Sequence, residues 1–212
     1  MENKNRAYYE SKREDLIKFI PTDARHILDV GCGAGATGQM LKSGRKGAVE
    51  VIGIECNPAI GEIATKILDK VFIGDVEEIS LPFTERYFDC IIYGDVLEHL
   101  LNPWDLLKKH CLMLKKGGHI VASIPNIAHY RIVKMLKKKE WNYDNAGVID
   151  KTHLRFFTIK SIRKMFKDAD LRILKIENKI GASNSKKFLN KILFNFLLDQ
   201  ITEQYVIIAQ IK

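Results

Sequence analysis

The sequence predicts an α/β fold, a largely parallel sheet of βαβ units with helices on both faces. Three observations predict it. From residue 26 onward, strand-like apolar runs alternate with helical ones. Two of the helical runs open on Asn-Pro, at Asn57-Pro58 and Asn102-Pro103, an N-cap followed by a first-turn proline. After Pro125 the alternation lapses, and the closing β-rich run follows a stretch with no room for another crossover. A final antiparallel strand fits that ending better than another βαβ unit.

Taken in order, an N-terminal helix is expected over residues 6–20, ahead of a core spanning 24–125. The first strand covers 27–30, and a helix begins at Ala36. The second strand covers 48–55, and the helix after it carries Ile60, Ile63, Ala64, Ile67 and Leu68 as a buried stripe. Strands three and four fall at 70–75 and 88–93. The helix opened by Asn102 places Leu106, Leu107, Cys111 and Leu114 on one face, and Lys115-Lys116-Gly117-Gly118 reads as its C-terminal stop. Strand five is 119–124, closed by Pro125.

Residues 126–157 show no clear strand and form a basic lid or insertion. Thr158 reads as the N-cap of a helix burying Ile162, Met165, Phe166 and Ala169. Two β-rich runs, 171–180 and 204–211, flank an apolar helical segment around 187–198. The whole of 1–212 is expected to form one domain, a length sufficient for a sizeable core.

The net charge of +8 is concentrated. Residues 129–175 hold 13 Lys and Arg against 5 Asp and Glu, and the rest of the chain is balanced at 21 against 21. That segment is suited to an anionic small molecule, a nucleic acid or an anionic surface, or is simply solvated. Cys32, Cys56, Cys90 and Cys111 form no C-x-x-C pair and no Cys/His cluster with zinc spacing, so reduced structural thiols and no metal are expected. No apolar leader opens the chain and no stretch is long enough to span a bilayer, which points to the cytoplasm.

Residues 33–38 read GAGATG, matching the dinucleotide pattern G-x-G-x-x-G. The loop itself starts two residues earlier, at Gly31, and Asp29 interrupts the strand before it. In that register Ala36 stands where the pattern takes Gly or Ala, so the glycines alone leave the ligand open. The acids are more telling. Glu55 closes strand two, Asp75 strand three, and Asp95 follows strand four, at intervals of 20 residues. Ligands of open α/β sheets lie along the carboxyl ends of the strands. A row of carboxylates there suits a cationic, diol-bearing ligand and repels a pyrophosphate. No Lys or Arg lies between Asp29 and Lys42 to offset that repulsion.

The segments ILDVGCGAG, VIGIEC, FIGDVEEI, YFDCIIYGDVLEHLLNPW and LKKGGHIVASIPN, in that order, resemble the class I S-adenosylmethionine-dependent methyltransferases over residues 20–125. The resemblance is to the small bacterial methyltransferase-domain proteins. It implies a Rossmann-like, seven-stranded sheet whose last strand is antiparallel, with S-adenosylmethionine as cofactor. It further implies that Gly31, Gly33 and Gly35 admit the methionine part of that cofactor and that Asp29 sits near its ammonium group. Glu55 would take the ribose hydroxyls. Asp75 would accept from the adenine amino group beside Val76, and Tyr93, Gly94 and Asp95 would border the sulfonium methyl. Cys32 and Cys56 fall within the same implied set.

Methyl transfer needs a base only if the acceptor must lose a proton. His99, His129 and His153 are the candidates, with Asn126 and Arg155 as candidate acceptor contacts. His99 is equally readable as a structural hydrogen-bonding residue. The stretch 150–158, DKTHLRFFT, resembles one in small bacterial methyltransferases similar to saccharide or secondary-metabolite enzymes. There Asp150 and His153 either position an acceptor or pin the chain to the sheet. The favoured acceptor is a small anionic or sugar-like molecule methylated on oxygen. RNA or protein is the alternative, although Tyr93-Gly-Asp-Val stands where amine-directed nucleic-acid enzymes carry Asn/Asp-Pro-Pro-Tyr. A monomer or homodimer is expected, and the apolar face of 186–201 serves packing, a dimer interface or a membrane surface.

Overall fold

The computed structural model describes Tyr9 and residues 12–83, 85–180 and 198–212. Seven strands make one sheet: β1 His26–Val30, β2 Glu50–Glu55, β3 Lys70–Ile73, β4 Phe88–Gly94, β5 Leu114–Pro125, β6 Leu171–Ile180 and β7 Thr202–Ile211. Their order is β3-β2-β1-β4-β5-β7-β6. Strands β1 to β5 run parallel, and β7 inserts antiparallel between β5 and β6. This is the Rossmann-like arrangement expected from the sequence, with the antiparallel strand at the end of the chain.

The helices are α1 Glu14–Ile17, α2 Ala36–Gly44, α3 Pro58–Ala64, α4 Pro103–Cys111, α5 Tyr130–Lys137, α6 Ile159–Asp168 and α7 Leu198–Ile201. They cover both faces, which is why β1 and β2 read as continuous apolar runs rather than alternating ones. On one face Leu28, Ile91 and Ile120 pack with Leu107 of α4 and Ile162, Met165 and Phe166 of α6. On the other, Ile27, Cys90, Ile92 and Val121 pack with Leu16 of α1 and Leu41 of α2. Neighbours along each strand thus point to opposite cores.

Local chemistry sets the helix starts. Asn57 and Asn102 each accept a backbone N–H three residues on, with proline at the next position. Thr158 and Ser161 form a reciprocal capping box at α6.

Three expectations are corrected. The Lys115-Lys116-Gly117-Gly118 run is no helix stop: α4 ends at Cys111, and those residues belong to β5. Phe88 pairs with Leu114 and Cys90 with His119, so a two-residue step in β4 faces five residues of β5. The glycines accommodate that bulge. Strand β3 stops at Ile73 rather than 75, because Gly74 turns the chain and Asp75 caps a turn by accepting from Glu77 N–H (2.9 Å). Of the helix expected over 6–20, Tyr9 and Glu14–Ile17 are helical among the described residues, and Lys12 and Arg13 between them are not. Residues 126–157 contain a helix, α5, that no stripe announced, because Ile132 is its one buried residue.

Cys32, Cys90 and Cys111 are buried thiols as expected, whereas Cys56 is exposed. The apolar segment 186–201 lies outside the described residues except for α7. Among the described residues, no helix is long and apolar enough to cross a membrane.

Candidate functional site

At the carboxyl ends of β1 to β4 lies a cavity of about 870 Å3. The loop after β1 forms one wall. Gly31 and Gly33 hold φ of 71° and 55°, and a Cβ on Gly33 would stand 2.6 Å from the Tyr9 carbonyl oxygen. Neither the backbone angle nor the space admits a side chain there. Gly33→Ala is therefore expected to destabilise the fold by about 1–3 kcal/mol, read as a lower denaturation midpoint. An unchanged midpoint would show that the loop relaxes freely. Gly35 caps α2 and does not border the cavity. Gly38 packs α2 on the sheet, its missing Cβ only 2.9 Å from Val51. The last glycine of GAGATG therefore serves packing, and the ligand-facing loop starts at Gly31.

Two buried acids stand behind this loop. Glu55 ends β2 and is 4% exposed. Its Oε2 accepts from Gly33 N–H (3.0 Å) and its Oε1 from Asn57 N–H (2.8 Å). Those bonds hold the loop and α3 in register and use two of about four lone-pair positions on the carboxylate. Asp29 is also 4% exposed, and its Oδ2 has no hydrogen-bond partner among the described residues. Burial raises its pKa to about 7; Arg13 opposes that rise and Glu55 adds to it. A buried, unpaired carboxylate oxygen on a cavity wall is a seat for a cation.

The remaining wall comes from β3 and β4. Asp75, Val76, Gly94 and Asp95 border the cavity, as do Cys32 and Cys56. Asp95 holds φ of 59°, and its carboxylate accepts from Arg13 Nη1 (2.7 Å), Ser123 Oγ (2.8 Å) and Gln204 Nε2. Burial opposes the charge on Arg13, but Asp95 and Asp15 outweigh it and raise the guanidinium pKa. Tyr93 does not border the cavity. Strand alternation turns its ring into the core, where its hydroxyl lies 2.7 Å from Nδ1 of the buried His110.

A second cavity, of about 780 Å3, adjoins the first, and Asp95 and His99 border both. Its wall includes the short 3-10 turn Leu97–His99 and the segment 144–153. These pieces are clamped together, because Glu98 O accepts from both Leu154 N–H (2.8 Å) and Arg155 N–H (2.9 Å). His99 Nδ1 lies 3.0 Å from Thr152 O, and His153 Nδ1 lies 3.0 Å from Val148 O. Carbonyls only accept, so each ring donates from Nδ1. His129 caps α5 instead: its Nδ1 accepts from Arg131 N–H (3.4 Å), which puts the proton of the neutral ring on Nε2.

Two sequence candidates do not line either cavity. The Asn126 amide is spent on the backbone of Asp199, Thr202 and Ala128. Arg155 reaches the carbonyl of Leu101, a residue of the first cavity's wall, and lies over Trp104 without lining either cavity itself. Of the 13 cations in 129–175, Arg131 is the one that borders a cavity.

A sequence model described as a methyltransferase domain matches residues 1–176, most of the chain. The chain belongs to the methyltransferase-domain family. It is a class I methyltransferase, an enzyme class whose methyl donor is S-adenosylmethionine. This methyltransferase is 28% identical over 188 residues to an uncharacterized protein of Methanocaldococcus jannaschii, covering 84% of this chain and 86% of the relative. It is 22% identical over 209 residues to the mitochondrial ubiquinone biosynthesis O-methyltransferase of Dictyostelium discoideum, covering 91% of this chain but 64% of that protein. The solved structure of a SAM-dependent methyltransferase from Archaeoglobus fulgidus superposes with a TM-score of 0.69 at 20% identity, over 97% and 94% of the two chains. That superposition shares the fold.

Within this methyltransferase, sequence reading missed Arg13, Ser123 and the meeting of Glu98 with His153. Arg13 meets Asp95 across 82 residues and Ser123 across 110, separations that leave no local pattern. Glu98 was visible beside His99, but its meeting with His153 depends on the fold.

Proposed function

We propose that the first cavity holds S-adenosylmethionine and the second the methyl acceptor, a small hydroxyl-bearing molecule methylated on oxygen. The observation that carries this reading is Asp29, a buried carboxylate with an unpaired oxygen beside a glycine loop that leaves no room for side chains. It fits the ammonium end of the donor. Glu55 has acceptor positions left for the ribose diol, and Asp75 and Val76 line the opposite end, where adenine would lie. The name of the Dictyostelium relative supports oxygen as the atom methylated. We read residues 1–212 as one catalytic domain working in the cytoplasm.

When bound, S-adenosylmethionine supplies an already activated sulfonium methyl group. The chain's residues then have to align acceptor and donor and exclude water, a positioning effect worth on the order of 7–11 kcal/mol. A hydroxyl acceptor must also lose a proton. His99 and His153, each held through Nδ1 by a backbone carbonyl, are the groups we assign to draw that proton off. His129 serves as a hydrogen-bond donor that orients the acceptor.

The acceptor need not be anionic, despite the basic segment. Asp95, Glu98, Asp144, Asp150 and Glu203 border the second cavity, against Arg131 as the lone cation among the described residues. The exposed cations of α5 and α6 suit the alternative, an RNA acceptor, better than they suit the cavity.

Transfer from labelled S-adenosylmethionine to a panel of phenols, sugars and tRNA tests the reading at two salt concentrations. A methylated hydroxyl on a small molecule, with weak salt dependence, is expected. Transfer confined to RNA and falling steeply with salt would replace it.

A further inference from the structure

We propose that Arg13 is a positioning residue for the transfer step. It cancels the charge of Asp95 at the border between the two cavities, so that the sulfonium meets a neutral pair rather than a bare carboxylate. The proposal rests on the two-cavity reading above, in which the methyl group crosses at that border.

Five side chains close a hydrogen-bonded ring there. Arg13 Nη1 donates to Asp95 Oδ2 (2.7 Å), and Gln204 Nε2 donates to Asp95 Oδ1. Lys179 Nζ donates to Gln204 Oε1 (2.9 Å) and pairs with Asp15. Asp15 completes the circuit by accepting from Arg13 Nε (3.2 Å) and Nη2 (3.3 Å). The buried Ser123 Oγ braces one side, accepting from Arg13 Nη2 (2.8 Å) and donating to Asp95 Oδ1 (2.8 Å). Two cations are thus matched by two anions, and Lys179 turns the Gln204 amide so that its NH2 meets the Asp95 carboxylate. Arg13, Asp15 and Lys179 border the first cavity and Gln204 the second, whereas Asp95 borders both.

Two further observations single out the Arg13–Asp95 contact. Gly94 leaves the space that the guanidinium fills, since a Cβ there would stand 3.0 Å from Arg13 Nη1. Both partners also hold left-handed backbone, at φ of 39° for Arg13 and 59° for Asp95, a conformation that side chains rarely adopt. Their side chains are 17% and 29% exposed, so water screens the pair only in part.

The chemistry gives that neutrality a use. As the acceptor oxygen bonds to the methyl carbon, the electron pair of the carbon–sulfur bond returns to sulfur, and the hydroxyl proton passes to the histidines assigned above. Positive charge at sulfur is lost during the step. A bare carboxylate beside it would stabilise the charged starting state more than the transition state, and would repel the incoming oxygen. Arg13 removes both penalties through Asp95.

The test measures by calorimetry, at low salt, the affinity of the full chain for S-adenosylmethionine and for S-adenosylhomocysteine, the product with a neutral sulfur. The readout is the ratio of the two affinities, because a merely structural loosening of the N-terminal segment weakens both alike. Arg13→Met leaves the ring with one uncompensated negative charge and should shift the ratio toward the sulfonium on the order of 5- to 50-fold. Asp95→Asn leaves one uncompensated positive charge and should shift it the other way. The double variant is neutral again, and its ratio should lie within about twofold of wild type. An unmoved ratio in Arg13→Met, or a shift that persists in the double variant, overturns the proposal. If Arg13→Met does not fold, the isosteric Asp95→Asn decides, and an unmoved ratio there overturns it equally. Wild type that binds neither compound rejects the two-cavity reading and this proposal with it, whereas binding of both with unmoved ratios overturns the role of Arg13 alone.

Discussion

Glu55→Ala should weaken S-adenosylmethionine binding on the order of 10- to 100-fold, the loss expected for one or two hydrogen bonds to a charged group. Two effects contribute. The carboxylate would accept from the ribose diol, and it already holds Gly33 N–H and Asn57 N–H in place. Glu55→Gln keeps one acceptor oxygen of similar shape but loses the charge and turns an NH2 toward one of the two backbone N–H donors. An intermediate affinity is expected for Gln, with a lowered denaturation midpoint. Calorimetric affinity unchanged in the Ala variant would remove Glu55 from the donor site.

Asp29 should make both stability and donor affinity depend on pH. Its ordinary pKa of 3.8 is raised to about 7 in the folded chain, chiefly by burial. The folded state therefore holds a proton that the unfolded state has released between those values. Stability from this group falls as pH rises through that window, and the full penalty stands above pH 7. It amounts to at most ~4 kcal/mol. Asp29→Asn removes it, so the ligand-free variant should melt several degrees higher at pH 8 and differ little at pH 4. Donor binding runs the other way. An ammonium group favours the carboxylate, so wild-type affinity should rise between pH 6 and 7.5, while the Asn variant binds weakly with no such rise. Identical pH profiles for the two proteins would place the ammonium elsewhere.

The legible part of this molecule is the part written locally. Asn-Pro pairs mark α3 and α4, and Thr158 marks α6, because caps act within one turn. The acids at 29, 55, 75 and 95 mark strand ends because a parallel sheet sets its ligands there. What escaped depends on distance or on facing. Lys115-Lys116-Gly117-Gly118 has the composition of a helix stop, but pairing with β4 recruits it into β5. Tyr93 follows the strand and so turns inward, one residue short of the cavity. The basic excess of 129–175 was countable, yet which way each cation faces is decided by α5 and α6 burying their apolar residues. Arg13 and the Glu98–His153 meeting arise from contacts between segments far apart in the chain.

Among the described residues, the two cavities share Asp95 and His99. Their other walls come from different stretches of chain: one mainly from residues before 102, the other mainly from 125–153 and 203–204. The two specificities are thereby separable under drift. On the proposed two-cavity reading, substitutions along α5 or the 144–150 turn would retune which molecule receives the methyl group without disturbing the donor's grip. A change at the two border residues alters both at once. Diversification of acceptor choice in such a scaffold therefore has a large permissive territory and a very short frontier.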